Sequence, residues 1–214
     1  MNISLPSGSP LRLTERSLHV RQRWCLHSYY SLCPYAPDGS GRILAAGADL
    51  ETGRGEVLIL SPNGAVLQRF ASVPVTTSFW HTGLWQSWSP DARFIYYQGG
   101  SLESPSVVRH DLDTGAEIII EGDIEGFPPS GEPAYACPHS MLYAAGYGDN
   151  RYKPEASPIP FQDRQRHGIS RITFSPPEAE LLLSTEEILE QHPLRDQILA
   201  ADRQMKGRHG PGCR

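Results

Sequence analysis

The stretch Phe79–Gly100, FWHTGLWQSWSPDARFIYYQGG, decides the fold. Its second half predicts a strand, a turn at Pro90-Asp91 and a second strand, because Pro and Asp favour turns while Ile and Tyr favour strands. The residues that follow, SVVRHDLDTGAEIIIEG (106–122), predict another hairpin that turns at Asp113-Thr-Gly115. Two successive hairpins predict four antiparallel strands joined by tight turns.

The same pattern recurs along the chain. SLCPYAPDGSGRILAAGADL (31–50) and GEVLILSPNGAVLQRF (55–70) predict one pair of hairpins, the second turning at Asn63-Gly64, where we expect both residues to adopt positive φ. AYACPHSMLYAAGYGD (134–149) and GISRITFSPPEAELLLS (168–184) predict a further round. The first turns of the rounds contain prolines that are 53 and 48 residues apart, at Pro37, Pro90 and Pro138. A four-stranded unit that repeats at this period is typical of a β-propeller blade.

The segments SPDARFIYY and HDLDTGAEIII, together with APDGSGRILAAGADLETG, resemble the turn motifs of TolB-like propellers. Oligogalacturonate lyases and other propeller-built polysaccharide lyases have the same blade pattern. The resemblance covers about residues 27–183. It implies an all-β fold of about three blades, each of four antiparallel strands, followed by a helical segment at the C-terminus.

The predicted organisation has three parts. We expect a flexible leader over 1–17, propeller blades over 18–183 with an insertion at 147–168, and a helical segment with a tail over 184–214. The insertion falls between the second and third predicted strands of the third blade. The helical segment begins at Ser184-Thr-Glu-Glu187, which fits a capping box.

Three blades are too few to close a propeller, since closed ones have at least about four. One interpretation is that the chain is the N-terminal part of a longer, truncated propeller. The other is a complete small protein whose exposed strand edges pair with those of a second chain.

Composition excludes several classes of function. The formal net charge of −5 argues against nucleic-acid binding, and no run of 18 apolar residues predicts a membrane span. The N-terminus lacks the apolar core of a signal peptide. The four cysteines contain no CxxC pair, which predicts free thiols rather than a zinc site or disulfide framework. We therefore expect a cytoplasmic protein.

Topology divides the loops between two faces of the predicted blades. The loops that enter each first strand, and those between second and third strands, lie on one face and contain the concentrated His, Tyr, Trp, Gln and Arg side chains. The other face contains turn residues. The candidate catalytic residues are His27, His81, Tyr30 and Arg151; the candidate substrate-binding residues are Trp80, Trp85, Gln86, Tyr152, Arg166 and His167.

Structural roles compete with these assignments. We expect Tyr29 and Tyr30 to point to opposite sides, because successive strand residues alternate, and one of them to be in the core. Trp85 and Trp88 are more typical of core packing than of sugar platforms. His110, beside the Asp111 turn, is expected to be exposed, and His139 to be a turn residue.

Two functions remain open. The first is a carbohydrate-active propeller, specifically a lyase that cleaves uronic-acid oligo- or polysaccharides by β-elimination, with an acidic sugar as its ligand. The resemblance to oligogalacturonate lyases implies a divalent metal, Mn²⁺, held by His and Gln side chains, but no position of this chain matches that family's ligand motif. The alternative is a non-catalytic propeller that binds a protein or a sugar, because the sequence has no GxSxG, HExxH or P-loop motif.

Overall fold

A computed structural model describes residues 20, 23–75, 79–101, 105–136 and 168–204. The described residues form antiparallel β-sheets and short helices, as the sequence predicts. The strands are β1 (Trp24–Leu26), β2 (Ile43–Asp49), β3 (Arg54–Leu60), β4 (Val66–Pro74), β5 (Ser87–Trp88), β6 (Phe94–Gly100), β7 (Pro105–Asp111), β8 (Glu117–Glu121), β9 (Ala134–Ala136), β10 (Gly168–Phe174) and β11 (Pro177–Ser184). The helices are α1 (Phe79–Thr82), α2 (Thr185–Gln191) and α3 (Arg195–Gln204).

Sheet 1 contains β1 to β4 and sheet 2 contains β5 to β8, each in chain order. This confirms the predicted four-stranded antiparallel units for these two rounds of the pattern. The turn at Asn63-Gly64 differs from the prediction: Gly64 has a φ of 82°, but Asn63 is not in the positive-φ region. Pro62 fixes a negative φ just before Asn63, so the loop is a wider turn in which the N–H of Ser61 donates to the carbonyl of Ala65.

Two turns with the pattern Asp-Leu-acidic-Thr-Gly close hairpins at different places. Asp49 precedes β3 of sheet 1, and Asp111 precedes β8 of sheet 2. Each aspartate accepts hydrogen bonds from the backbone N–H groups two and three residues ahead. These local bonds explain why the same five-residue pattern forms a turn both between β2 and β3 and between β7 and β8.

Sheet 3 has the described strand order β11-β10-β9. The sequence pattern predicted two strands within 134–149 and placed 168–184 after them, as the third and fourth strands of the blade. In the structure β10 instead pairs directly with β9, with Arg171 opposite Tyr135. Residues 137–167, which include His139 and nearly all of the predicted insertion, lie outside the described residues.

The sheets pack face to face. One apolar cluster, which includes Leu44, Ile59, Phe79 and Ile95, lies between sheets 1 and 2. A second, rich in aromatic rings, lies between sheets 2 and 3 and includes Phe127, Ile172 and Phe174. A third covers the opposite face of sheet 1 and includes Val20 and Leu58.

The predicted capping box begins α2. The hydroxyl of Ser184 accepts the Glu187 N–H at 3.1 Å, and the Glu187 carboxylate accepts the Ser184 N–H at 2.8 Å. These bonds to Ser184 hold the pKa of Glu187 below its usual value. Among the described helices, none has the length and apolar character needed to cross a membrane.

Candidate functional site

The first strand of each sheet lies at one edge of that sheet, and we call β1, β5 and β9 the inner strands. Between β1 and β2 the chain makes a turn at 29–32, closed by a 2.8 Å hydrogen bond from the Leu32 N–H to the Tyr29 carbonyl. It then forms a single bridge between Tyr35 and Ile43. The inner edge of sheet 1 is therefore interrupted, and the interruption projects side chains away from the sheet.

Tyr29 and Tyr30 occupy this turn. Tyr29 is half-buried and packs against Trp85 with 5.4 Å between ring centroids, whereas Tyr30 is 81% exposed. Tyr29 thus packs against the core while only partly buried, but the two side chains do not point to opposite sides as predicted, because they lie in a turn and not in a strand. The two rings are 4.1 Å apart, and the hydrogen bond with Tyr30 raises the pKa of the Tyr29 hydroxyl.

A small pocket of about 80 Å³ opens beside the same segment. Its walls come from 32–37, from β5 with the turn that follows it, and from the chain that enters β9. The lining residues are Leu32, Cys33, Tyr35, Pro37, Ser87, Trp88, Ser89, Pro90, Phe127 and Pro129.

Three polar groups of the pocket wall already have partners. The Trp88 indole N–H donates to the Pro34 carbonyl at 2.9 Å. The Ser89 hydroxyl bonds to Asp91 at 2.6 Å, and the Ser87 hydroxyl accepts the Phe127 N–H at 2.9 Å. The pocket therefore presents a mainly apolar surface.

The exposed aromatic side chains of the described residues lie in or next to the inner strands β1 and β9. Among the described residues, every large aromatic side chain that is exposed lies in β1, in β9 or in the segment joining β1 to β2; they are Trp24, Tyr30, Tyr35 and Tyr135. The exposed large aliphatic side chains, such as Leu67 and Ile119, lie elsewhere. The aromatic surface is thus separate from the other apolar surface.

Two predicted substrate-binding residues are buried instead. Gln86 is 2% exposed; its Oε1 accepts the Leu84 N–H at 2.9 Å and its Nε2 donates to the Leu26 carbonyl at 3.3 Å. Gly83 makes room for this amide, since a Cβ there would lie 2.7 Å from the Gln86 oxygen. Gln86 thus joins sheet 1 to the entry of sheet 2, and both polar atoms of its amide bond to backbone groups.

Trp85 is buried as well. It is 7% exposed and belongs to the cluster between sheets 2 and 3, so its indole has almost no surface for a sugar. Core packing was the competing expectation for both Trp85 and Trp88, and burial of Trp88 in the other cluster agrees with it.

The remaining predicted residues fall into two groups. His27 and Tyr30 are exposed, close together in sequence near the turn at 29–32. Trp80 and His81 belong to α1, but their side chains lie outside the described part of the structure. Arg151, Tyr152, Arg166 and His167 also lie outside the described residues.

Two features were not predicted from the sequence. Burial raises the pKa of Glu125, whose charge acts on Tyr29, so an acidic group lies beside the turn at 29–32. Glu125 lies in the connection that follows β8, and nothing in the sequence of that connection predicts its proximity to Tyr29.

His110, expected to be exposed, is 8% exposed and stacks on Phe70 with 3.9 Å between ring centroids. Here a signal existed: His110 is two residues from the apolar Val108 in a strand, so the two share a face.

The described residues do not fit the implied metal site. They bring together no group of three or more His, Cys, Asp and Glu side chains suited to a metal ion. The amide of Gln86 already bonds to backbone groups through both of its polar atoms.

No protein-family model matches the sequence, and no curated protein matches it. Solved structures are similar to the chain. An oligogalacturonate lyase in complex with manganese is 16% identical, with a TM-score of 0.49, over 75% of this chain and 41% of that one. An oligogalacturonate lyase from Vibrio parahaemolyticus is 15% identical, with a TM-score of 0.46, over 78% of this chain and 43% of that one.

TolB from Acinetobacter baumannii is 17% identical, with a TM-score of 0.43, over 75% of this chain and 32% of that one. The chain spans less than half the length of each of these proteins. Oligogalacturonate lyase and TolB are both β-propeller proteins, and they are the two kinds of protein that the turn motifs resemble.

Proposed function

We propose that the chain is a carbohydrate-binding module of the β-propeller type, in which the three sheets are blades and an oligosaccharide lies along the inner strands. The observation that supports this proposal is that, among the described residues, every exposed large aromatic side chain lies in β1, in β9 or in the segment that joins β1 to β2. Tyr and Trp combine an apolar ring face with a polar edge. This combination suits a sugar ring, which has apolar C–H faces and hydroxyls around its rim.

The test is a calorimetric titration, which measures binding of the full chain to an oligogalacturonate mixture and to a neutral cello-oligosaccharide. Tyr30→Ala and Tyr35→Ala are each expected to weaken binding of the preferred sugar at least about fivefold. Leu67→Ala, an exposed side chain on the outer strand β4, is the matched control and is expected to bind as the wild type does. Absence of binding to both sugars, or equal binding by all variants, would contradict the proposal.

At a finer level, we propose cleavage of uronic-acid oligosaccharides by β-elimination. This reaction removes a proton next to a carboxylate, so it needs a base and a group that neutralises the carboxylate. His27 and Tyr30 are exposed near one turn and are the candidate bases. Arg151 is the proposed partner of the substrate carboxylate, because a guanidinium binds a carboxylate through two hydrogen bonds.

This step is tested by incubating the chain with oligogalacturonate, with and without added Mn²⁺. The ultraviolet absorbance of the unsaturated product measures how fast it forms. Tyr30→Phe and His27→Ala should each slow product formation if they are bases, while Tyr30→Phe should preserve sugar binding. A chain that binds oligogalacturonate but forms no product under either condition would leave the binding proposal intact and exclude lyase activity on this substrate.

The pocket favours a second candidate function, binding of a protein ligand that inserts one apolar side chain. Its lining is apolar, and its volume of about 80 Å³ suits a side chain better than a sugar ring. Trp88 lines this pocket, so quenching or enhancement of its fluorescence would report occupancy. Peptides ending in Leu or Phe are the probes, and Pro90→Asp, at the rim of the pocket, should abolish their effect.

A further inference from the structure

The last strand of sheet 3, β11, exposes three successive leucines. Leu181, Leu182 and Leu183 are between 39% and 45% exposed, and none of them belongs to the three apolar clusters described above. Successive residues of a regular strand alternate between its two faces, so at least one of these leucines would be expected to pack toward sheet 2. Instead, all three lie outside the core.

A β-bulge accounts for this exposure. Ser170 of β10 is opposite Leu181 and the preceding residue, Ile169, is opposite Leu183, so Leu182 is an extra residue on β11. An extra residue of this kind breaks the alternation of side chains, bends the strand and increases its twist. The second half of β11 therefore turns its leucines toward solvent.

β11 is also an edge strand, since among the described strands it pairs with β10 alone. The edge strands of sheets 1 and 2 contain polar or charged residues that discourage pairing with another strand. β4 has Gln68 and Arg69 in its middle, and β8 begins and ends with Glu117 and Glu121. Residues 181–183 of β11 include no charge, and there the twist of the bulge discourages pairing with another flat sheet instead.

Acidic side chains lie on both sides of these leucines along the chain. Residues 168–201 contain six acidic side chains and two arginines, and each arginine pairs with one of the acids, Arg171 with Glu180 and Arg195 with Asp196. The other four acids are exposed glutamates, one before the leucines in β11 and three after them in α2; they are Glu178, Glu186, Glu187 and Glu190. The edge of β11 thus combines an apolar centre with acidic ends.

We propose that the free edge of β11 binds an extended segment of a partner protein, with apolar residues at its centre and Lys or Arg at both ends. In this mode of recognition the backbone hydrogen bonds to an edge strand supply affinity, and side chains supply specificity. The basic ends meet the glutamates on either side of the leucines, and attraction between unlike charges steers association. β11 and the inner strand β9 form opposite edges of sheet 3, so this site is separate from the proposed sugar surface.

A second copy of the chain fits this edge less well than a peptide segment does. Antiparallel pairing of two β11 strands brings Glu178 of each copy toward Glu186 and Glu187 of the other copy, so like charges meet at both ends. Parallel pairing places Glu178 beside its own equivalent. Like charges in such positions oppose pairing. A single flexible segment also follows the twist of the bulge more easily than the edge of a folded sheet does.

The test measures binding of a fluorescent peptide to the full chain by fluorescence anisotropy. The probe alternates Val and Thr through its centre, has Arg and Lys at each end, and is blocked at both termini. We expect it to bind, and to bind several-fold more weakly when NaCl rises from about 0.05 M to about 0.5 M, because salt screens exposed charges. Leu182→Lys should weaken binding at least about fivefold, since a lysine guards an edge strand. Leu67→Lys, at an exposed leucine of the edge strand β4, is the matched control and should leave binding unchanged.

Two further peptides separate the contributions of charge and of backbone pairing. A probe with Glu in place of Arg and Lys should bind at least about tenfold more weakly. A probe that is N-methylated at every central residue has no central N–H groups to donate, and should show no measurable binding. Binding of either peptide as tight as that of the original probe would overturn the proposal.

No binding of the original probe would also overturn the proposal, as would equal affinity of Leu182→Lys and the wild type. So would a dimer of the peptide-free chain, seen by analytical ultracentrifugation, that Leu182→Lys dissociates, because the edge would then bind a second copy. Urea midpoints check that the variants fold, and if Leu182→Lys does not, the comparison of the three peptides on the wild type decides. The measurement uses no sugar, so its outcome is independent of the proposed carbohydrate binding.

Discussion

The two faces of sheet 2 carry matching triplets of side chains. Toward sheet 3, Glu132 Oε1 accepts the Tyr96 hydroxyl at 3.1 Å and the Arg109 guanidinium at 3.1 Å. Toward sheet 1, Glu117 Oε1 accepts the Tyr97 hydroxyl at 2.8 Å and lies 3.0 Å from His110 Nδ1. Each triplet joins a tyrosine, a glutamate and a basic side chain, and neighbouring residues on β6 and β7 alternate between the two triplets.

The difference lies in where each glutamate comes from. Glu132 precedes β9, and its Oε2 also accepts the Phe174 N–H of β10 at 2.7 Å, so this triplet connects sheet 2 to sheet 3. Glu117 belongs to β8, so its triplet stays within sheet 2 and reaches sheet 1 through the packing of His110 and Tyr97 on Phe70. One interface is therefore joined by a carboxylate, the other by apolar packing.

Replacing Glu132 should have the largest effect on stability, because it removes the carboxylate that joins sheet 2 to sheet 3. Glu132→Ala leaves the Arg109 guanidinium, the Tyr96 hydroxyl and the Phe174 N–H without their acceptor. Loss of one partner of a largely buried pair is costly, so we expect the free energy of unfolding to fall by about 2 to 4 kcal/mol. Urea unfolding measures it, with Glu51→Ala in an exposed turn as the control. A loss equal to that of the control would mean that the carboxylate does not stabilise the interface.

The apolar interface is tested at Phe70. Phe70→Ala removes the ring that stacks on His110 and packs 6.1 Å from Tyr97, so we expect a loss of about 2 kcal/mol, less than for a fully buried ring. Leu67→Ala on the same strand is exposed and should change stability by less than about 0.5 kcal/mol. Equal losses for the two variants would show that this stacking contributes nothing.

The alternation in sheet 2 shows what the sequence could and could not predict. Turn chemistry predicted sheets 1 and 2, because Asp49 and Asp111 act through local bonds to the backbone. The burial of Gln86 was not predicted, since its partners are Leu26, 60 residues away, and Leu84. The pairing of β9 with β10 also depends on distant residues, which no local pattern specifies. The candidate site residues were chosen by residue type and by the predicted position of their loops. In the structure His27 and Tyr30 are exposed, whereas Trp85 and Gln86 are buried.

The two tyrosines predict a pH dependence. Burial, followed by the neighbouring glutamate, raises the pKa of both Tyr96 and Tyr97 above the ordinary value of 10.0. Below pH 10 both states keep these protons; above it the unfolded chain loses them first, so stability falls as pH rises. We expect a decline of up to about 1 kcal/mol per pH unit for each tyrosine. Tyr96→Phe and Tyr97→Phe should each flatten the decline, measured by urea midpoints between about pH 9 and 11, and the exposed Tyr135→Phe should not.

Replacing Glu117 should have the smallest effect and gives the sharpest test of the comparison. Its side chain is 33% exposed, and removing it lets water reach the Tyr97 hydroxyl and His110, so Glu117→Ala should cost less than about 1 kcal/mol. A double-mutant cycle between Glu117 and His110 should therefore give a coupling energy below about 0.5 kcal/mol, whereas the cycle between Glu132 and Arg109 should exceed about 1 kcal/mol. The expected order follows from geometry, because only Glu132 also binds the backbone of another sheet. If the Glu117 cycle gave the larger coupling, the carboxylate within sheet 2 would be the stronger contact, and joining of the sheets by Glu132 would no longer explain their stability.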